Sequence, residues 1–291
     1  MKKPTITTYL KSLDSDVRMI NISNYELTEL PDLSRFTNLE ILYCYNNNLI
    51  SLPPLNDTLT ELYCHHNQLT SLPPLNDKLT ELHCSNNKLT YLPLLNDNLK
   101  KINCSNNQLT SLPPLNDKLD YLNCSNNQLT SLPPLNDNLK ILNCSNNQLT
   151  SLPPLNDNLK ELYCSNNQLT SLPPLNDKLD FLNCSNNQLT SLPPLNNTLT
   201  DLSYKSNPIY RIIESDNIII IKSKVKILNS FRELYYILKF NKRFISFMWK
   251  SREKKIQEQF HPKHLYSFLE KNKVSEEDSE SVDKFLNEWI K

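Results

Sequence analysis

CSNNQLTSLPPLND, residues 104–117, returns without a change at 124–137, 144–157 and 164–177. Its cysteine is one of eight, all spaced twenty residues apart: Cys44, Cys64, Cys84, Cys104, Cys124, Cys144, Cys164 and Cys184. A fixed period of this length marks a stacked-repeat architecture, in which each unit buries its apolar face only against its neighbours. With Leu139 as position 1, the unit reads LxxLxCxxNxLxxLPPLNDx. Units open at Leu39, Leu59, Leu79, Leu99, Leu119, Leu139, Leu159, Leu179 and Leu199. A divergent unit, two residues longer, opens at Val17 and sets Ile20, Ile22, Leu27, Leu30 and Leu33 on the apolar positions. Ten units are therefore expected, the first and last atypical as capping units are.

Positions 3 to 7 alternate outward and inward, so positions 4 and 6 face the interior of a strand stack spaced about 4.8 Å apart. Leu at 11, 14 and 17 closes the core from the other side. The Pro-Pro pair lacks N–H donors and fixes φ, which suits an extended run and forbids a helix. The chain has no Gly, so Asn takes the turns, because it tolerates the left-handed region better than other residues. A position-9 ladder, Asn47, Asn67, Asn87, Asn107, Asn127, Asn147, Asn167 and Asn187, is expected to bond loop backbone of adjacent coils.

The cysteine column is expected to act as a set of small buried hydrophobes that lets the strand face pack closer to the opposite side. A disulfide ladder is the weaker alternative, since in-register side chains run side by side and the cytosol is reducing. A metal ladder would need sulfurs converging tetrahedrally. Position 19 forms a further ladder from Asp57 to Asp177, expected to cap the turn before the strand, with calcium between turns as the alternative.

These residues resemble the leucine-rich repeat, LxxLxLxxNxL, over roughly two-thirds of the chain. The LPxL tail at twenty residues is similar to the short repeats of type III-secreted bacterial effectors. The resemblance implies a leucine-rich repeat solenoid: a parallel β-sheet on the concave side and an extended, polyproline-like convex side; the spacing of apolar residues beyond it predicts an α-helical C-terminal region. The expected division is an N-terminal cap over 1–16 holding a short helix, the solenoid over 17–210, and the helical basic region over 211–291.

The repeated residues hold the fold, so recognition falls to the outward residues that vary. Early units bring Tyr43, Tyr45, Tyr63, His65 and His83 to one end of the concave face. A second patch is Tyr121, Ile141, Tyr163 and Phe181. Exposed aromatics on a rigid sheet are hot-spot material for a protein partner. Cross-strand pairs that only stabilise the sheet are the alternative. A metal site at His65, His66 and His83 lacks a completing Cys or carboxylate trio.

After Asn207-Pro208 the character changes. Residues 222–263 carry twelve Lys or Arg against three Glu. Val225, Leu228, Phe231, Tyr235 and Leu238 follow helical spacing, and further helical stretches are expected over 244–260, from His261-Pro262, and after SEEDSES. FRELYYILKFNKRFISFMWKSREKKIQEQFHPKHLYSFLE, closing with FLNEW, resembles the C-terminal tail of uncharacterised proteins of mimivirus-like giant viruses. That resemblance implies a viral origin, in keeping with an AT-rich coding bias in a chain without Gly or Ala, and no known activity.

The formal net charge of zero names no partner. The N-terminus lacks an apolar h-region and the longest apolar run is Ile218 to Ile221, so no secretion signal and no membrane span are expected. The expected compartment is the cytoplasm, that of the host if the protein is viral. No cofactor is expected. A ubiquitin ligase of the effector type needs a cysteine in its C-terminal domain, and none lies beyond Cys184, which leaves at most an adaptor without its own nucleophile. Nucleic acid or another acidic partner on helices 222–263 is the second alternative. The favoured expectation is a non-enzymatic scaffold that binds a protein on its concave face.

Overall fold

The structure, a computed structural model, describes residues 5–240. A short helix, α1 (Ile6–Lys11), is capped by the Thr5 hydroxyl, which accepts from the Thr8 N–H. Ten three-residue strands follow: β1 (Met19–Asn21), β2 (Ile41–Tyr43), β3 (Glu61–Tyr63), β4 (Glu81–His83), β5 (Lys101–Asn103), β6 (Tyr121–Asn123), β7 (Ile141–Asn143), β8 (Glu161–Tyr163), β9 (Phe181–Asn183) and β10 (Asp201–Ser203). They form one parallel sheet in sequence order, each residue paired with the one twenty places on from β2 to β10. The first unit, two residues longer, pairs Ile20 with Leu42. Each crossover from β1 to β10 returns through a run without helix or strand, and most of these runs hold a Pro-Pro pair.

The inward strand residue, position 4, is buried in every coil from Ile20 to Leu182. From the second unit on, positions 1, 6 and 11 are buried beside it, while position 17 is half-buried from Leu55 onward. The strands end at position 5, so each cysteine stands just past its strand. The ladder still carries on through it: the Cys144 N–H donates to the Tyr163 carbonyl at 2.8 Å. Position 7 turns partly inward, and Ser85, Ser105, Ser125, Ser145 and Ser165 are buried.

Two asparagine ladders lock coil to coil. At position 9, Asn147 Nδ2 donates to the carbonyls of Cys124 and Cys144, both at 3.1 Å, and its Oδ1 accepts from the Leu129 N–H at 2.9 Å. The same pattern repeats from Asn67 to Asn187. At position 18, Asn136 Nδ2 donates to the Asn116 carbonyl at 2.7 Å, and its Oδ1 accepts from the Asn138 N–H at 2.8 Å. The turn before the strand is thus capped by position 18. The position-19 carboxylates, expected in that role, are exposed. A site that must both donate to the preceding coil and accept from its own turn takes an amide, since a carboxylate only accepts. In the long first unit Phe36 replaces this asparagine and is fully buried.

The left-handed residue is position 8. Asn46, Asn86, Asn106, Asn126, Asn146, Asn166 and Asn186 have φ between 51 and 55°, as does His66, and Ser206 has φ 57°. Asn is the least strained choice there once Gly is absent.

The chain divides into two compact units, the first 1–188 with 196–206, the second 189–195 with 207–291. Within the second, α2 (Tyr210–Ile213) ends at Glu214, whose φ is 42°. The Asn217 side chain then accepts from the Ile219 N–H at 2.9 Å and starts α3 (Ile218–Phe240). Ile213, Ile221, Val225, Ile227 and Phe231 are buried, and Asn229 Nδ2 donates to the Leu192 carbonyl at 3.2 Å. The expected helix over Val225 to Leu238 lies within α3, while the stretches expected beyond residue 240 lie outside the described residues. No described helix is long and apolar enough to cross a membrane.

Candidate functional site

Because each strand exposes positions 3 and 5 on the same side, the twenty-residue register stacks these side chains into columns. At position 5, Tyr43 stacks on Tyr63 with ring centroids 4.7 Å apart, and Tyr63 stacks on His83 at 4.5 Å. At position 7, Tyr45 stacks on His65 at 4.6 Å, and Tyr43 meets Tyr45 edge-on at 6.2 Å. The five early residues therefore form one cluster of two ring columns. His66 sits at the left-handed position and meets His65 edge-on at 5.5 Å. Among the described residues no three His, Cys, Asp or Glu come together as metal ligands.

Carboxylates flank the rings. Glu61 and Glu81 are paired in register, two like charges side by side. The Tyr63 hydroxyl lies between them, 3.0 Å from Glu61 Oε2 and 3.4 Å from Glu81 Oε2. Glu81 also takes Lys101 Nζ at 2.7 Å and stands 3.7 Å from His83 Nε2. Burial alone would raise the Glu81 pKa, but the hydrogen bond and charge of Lys101, with His83, outweigh it and hold the carboxyl below its usual range. Burial raises the Tyr63 phenol, and its bond to Glu61 adds to the rise. Burial lowers both His65 and His83; the neighbouring imidazoles add to the effect at His65, whereas Glu81 opposes it at His83.

The second patch is looser. Tyr163 and Phe181 touch with centroids 4.6 Å apart, and the Tyr163 hydroxyl donates to Glu161 at 2.9 Å. Burial, reinforced by that bond, pushes the Tyr163 pKa to about 12. Tyr121 and Ile141 are half-buried register partners on adjacent strands.

The eight cysteines form no disulfide among the described residues and are fully buried. Burial pushes Cys44, Cys104, Cys144 and Cys184 up to about 12 and raises the other four as well. A thiol so held is packing, not a nucleophile.

Two features of the outward face escaped the sequence. One is the row Asn103, Asn123 and Asn143 at position 5, whose Oδ1 atoms accept from the N–H groups of Ser105, Ser125 and Ser145 at 3.1 to 3.2 Å. The recurring Asn-x-Ser was the available signal. The other is the Glu61/Glu81 pair, legible only once the register is known.

This sheet, its coil-to-coil asparagine ladders and its extended return runs define a leucine-rich repeat solenoid with a helical C-terminal region. The sequence agrees: residues 97–137, 117–157, 137–177 and 157–197 each match the family model for leucine-rich repeats in two copies. Among solved structures, the chain is similar to the leucine-rich effector protein YopM of Yersinia pestis, at 34% identity over 65% of this chain and 61% of that one, with a TM-score of 0.59. It is similar to the functional domain of InlJ from Listeria monocytogenes, which includes a cysteine ladder, at 30% identity over 72% of this chain and 48% of that one, TM-score 0.60. A Shigella effector leucine-rich repeat domain gives 28% identity over 64% of this chain and 77% of that one, TM-score 0.50. The chain thus spans less than two thirds of the YopM and InlJ chains it matches. No curated protein matches the sequence.

Proposed function

We propose that this protein is a non-enzymatic scaffold whose concave sheet face binds a protein partner through Tyr43, Tyr45, Tyr63, His65 and His83, with Tyr121, Ile141, Tyr163 and Phe181 as a second contact area. The observation that carries this is the paired ring columns. Their rings are half-buried and held by stacking in one geometry, so little side-chain entropy is lost when a partner settles on them. The likeness to chains named as effectors supports a role in binding host proteins, in the host-cell cytoplasm. The C-terminal likeness noted in the sequence supports a viral source. The chain's eight cysteines are all buried packing residues, which supports the non-enzymatic reading and leaves a ligase only as something the scaffold could recruit. In this reading 1–16 caps a solenoid over 17–210, and 211–291 is a helical basic C-terminal region.

The test is affinity capture from host-cell lysate with the wild type and with a Tyr43→Ala, Tyr63→Ala, His83→Ala variant of unchanged circular dichroism. A protein held by the first and released by the second identifies the partner. Capture of the same proteins by both would overturn the assignment of this face.

A further inference from the structure

Between the two aromatic patches lies a polar tract of different character. In β5, β6 and β7, position 5 is Asn103, Asn123 and Asn143, bounded by the rings of His83 on one side and Tyr163 on the other. An asparagine amide is ordinarily both donor and acceptor. Here each Oδ1 is consumed by the following Ser N–H, and those of Asn103 and Asn123 also take the Ser hydroxyl at 2.8 Å. A backbone N–H only donates, so the amide oxygen is the bonded atom, and Nδ2 remains on a half-buried side chain at an outward strand position. Among the described residues none of these three Nδ2 groups donates to the protein. The row is thus a set of donors, one per strand, that no protein acceptor takes among the described residues.

The coils that carry the row have the matching net sign at their outer edge. Exposed Lys100, Lys101, Lys140 and Lys160 stand at positions 2 and 3 of these coils, against Asp120 and Glu161. Lys140 pairs with Asp120 at 3.3 Å and Lys101 with Glu81 at 2.7 Å, Glu161 keeps its charge beside the neutral Tyr163 hydroxyl, and Lys100 and Lys160 make no ion pair among the described residues. The preceding coils, with Glu40, Glu61 and Glu81 at the same positions, carry the opposite sign. From His83 to Tyr163 the tract crosses four strand spacings, about 19 Å at ~4.8 Å each, the span of roughly six extended residues at ~3.3 Å.

We infer that Asn103, Asn123 and Asn143, with Lys100 and Lys160, form a subsite for an extended acidic peptide segment of about six residues, laid across the strands between the two aromatic patches. Carboxylates and main-chain carbonyls of that segment accept from the amide row, and the lysines supply charge-assisted bonds. This rests on the reading that the face binds a protein, and it names the chemistry of the bound segment.

The probe is fluorescein-labelled hexaglutamate, followed by anisotropy in 50 mM salt, with hexalysine and the oligonucleotide dT6 as comparisons. The variant Asn103→Asp, Asn123→Asp, Asn143→Asp keeps every Ser N–H acceptor but turns each donor into an anionic oxygen. It is expected to weaken hexaglutamate at least ~10-fold, the scale of losing charge-assisted bonds. Lys100→Glu with Lys160→Glu alters only exposed side chains, so folding is not at issue, and should weaken it several-fold. Equal binding by the wild type and either variant overturns the inference, as does the absence of hexaglutamate binding. Preference for dT6 would make the tract a nucleic-acid site and overturn it too. A captured protein released by the Tyr43, Tyr63, His83 variant but held by the asparagine variant would defeat this inference and leave the face's proposed role standing.

Discussion

Truncating one rung of the position-9 ladder gives the sharpest stability test. Asn147→Ala removes donations to the Cys124, Cys144 and Ser145 carbonyls and the acceptor of the Leu129 N–H. The carbonyls are not stranded: Cys124 O still receives Asn127 Nδ2, Cys144 O receives Asn167 Nδ2, and Ser145 O receives the Asn126 N–H. The Leu129 N–H is different, because it lies in a fully buried residue and has no second acceptor among the described residues. One orphaned buried donor costs about 1–3 kcal/mol, and the lost net value of the remaining bonds adds about 1 kcal/mol, so the substitution should destabilise by roughly 2–4 kcal/mol. Gln148→Ala, next door and exposed, should stay within about 0.5 kcal/mol. Urea unfolding followed by circular dichroism measures both. A loss below about 1 kcal/mol for Asn147→Ala, or equal losses for the two, would refute the argument that the ladder joins adjacent coils.

Other outcomes follow from the same structure. Cys144→Leu adds bulk to a closed column and should cost about 1–3 kcal/mol by urea titration. The thiols have folded pKa values raised above the unfolded ~8.5, so the stability they contribute is full below that pH and is lost as pH rises toward about 12; melting scans from pH 8 to 11 should show the decline, with a smaller slope in a Cys-to-Ala variant. His65 and His83 have folded pKa values lowered by burial, so stability is present above the unfolded ~6.5 and falls as pH drops below it; replacing both with Asn should flatten the melting temperature between pH 7 and 5. Asn146→Val places a β-branched residue at φ 55° and should cost about 1–2 kcal/mol, whereas Asn146→Gly should be neutral or better.

The period alone carried most of the architecture. A residue fixed every twenty places must sit in one environment, and apolar residues at positions 1, 4 and 11 could only be core. The cap was harder to find. Asn and Asp stand side by side at 18 and 19, and the carboxylate drew the role by its charge. Yet position 18 is Asn from Asn56 to Asn196, while position 19 yields to Asn197, and of these two side chains the amide alone both donates and accepts. The left-handed site had its own signal, since His66 and Ser206 replace Asn at position 8 whereas position 9 never varies from Asn47 to Asn207. Phe36 was hidden because the first unit runs two residues long and shifts the count. The outward candidates were legible as a face, but the stacking of Tyr43, Tyr63 and His83, the Glu61/Glu81 pair and the donor row depend on side-chain orientation that a repeat pattern does not specify.

The central claim is that the ring columns are the partner's contact. Hydroxyl-radical footprinting of the captured complex tests it, with the exposed Tyr91 on the return run as an internal reference. Tyr43, Tyr45, Tyr63, His65 and His83 should lose reactivity on binding while Tyr91 keeps it; protection of Tyr91 with unchanged rings on the sheet would contradict the assignment of this face.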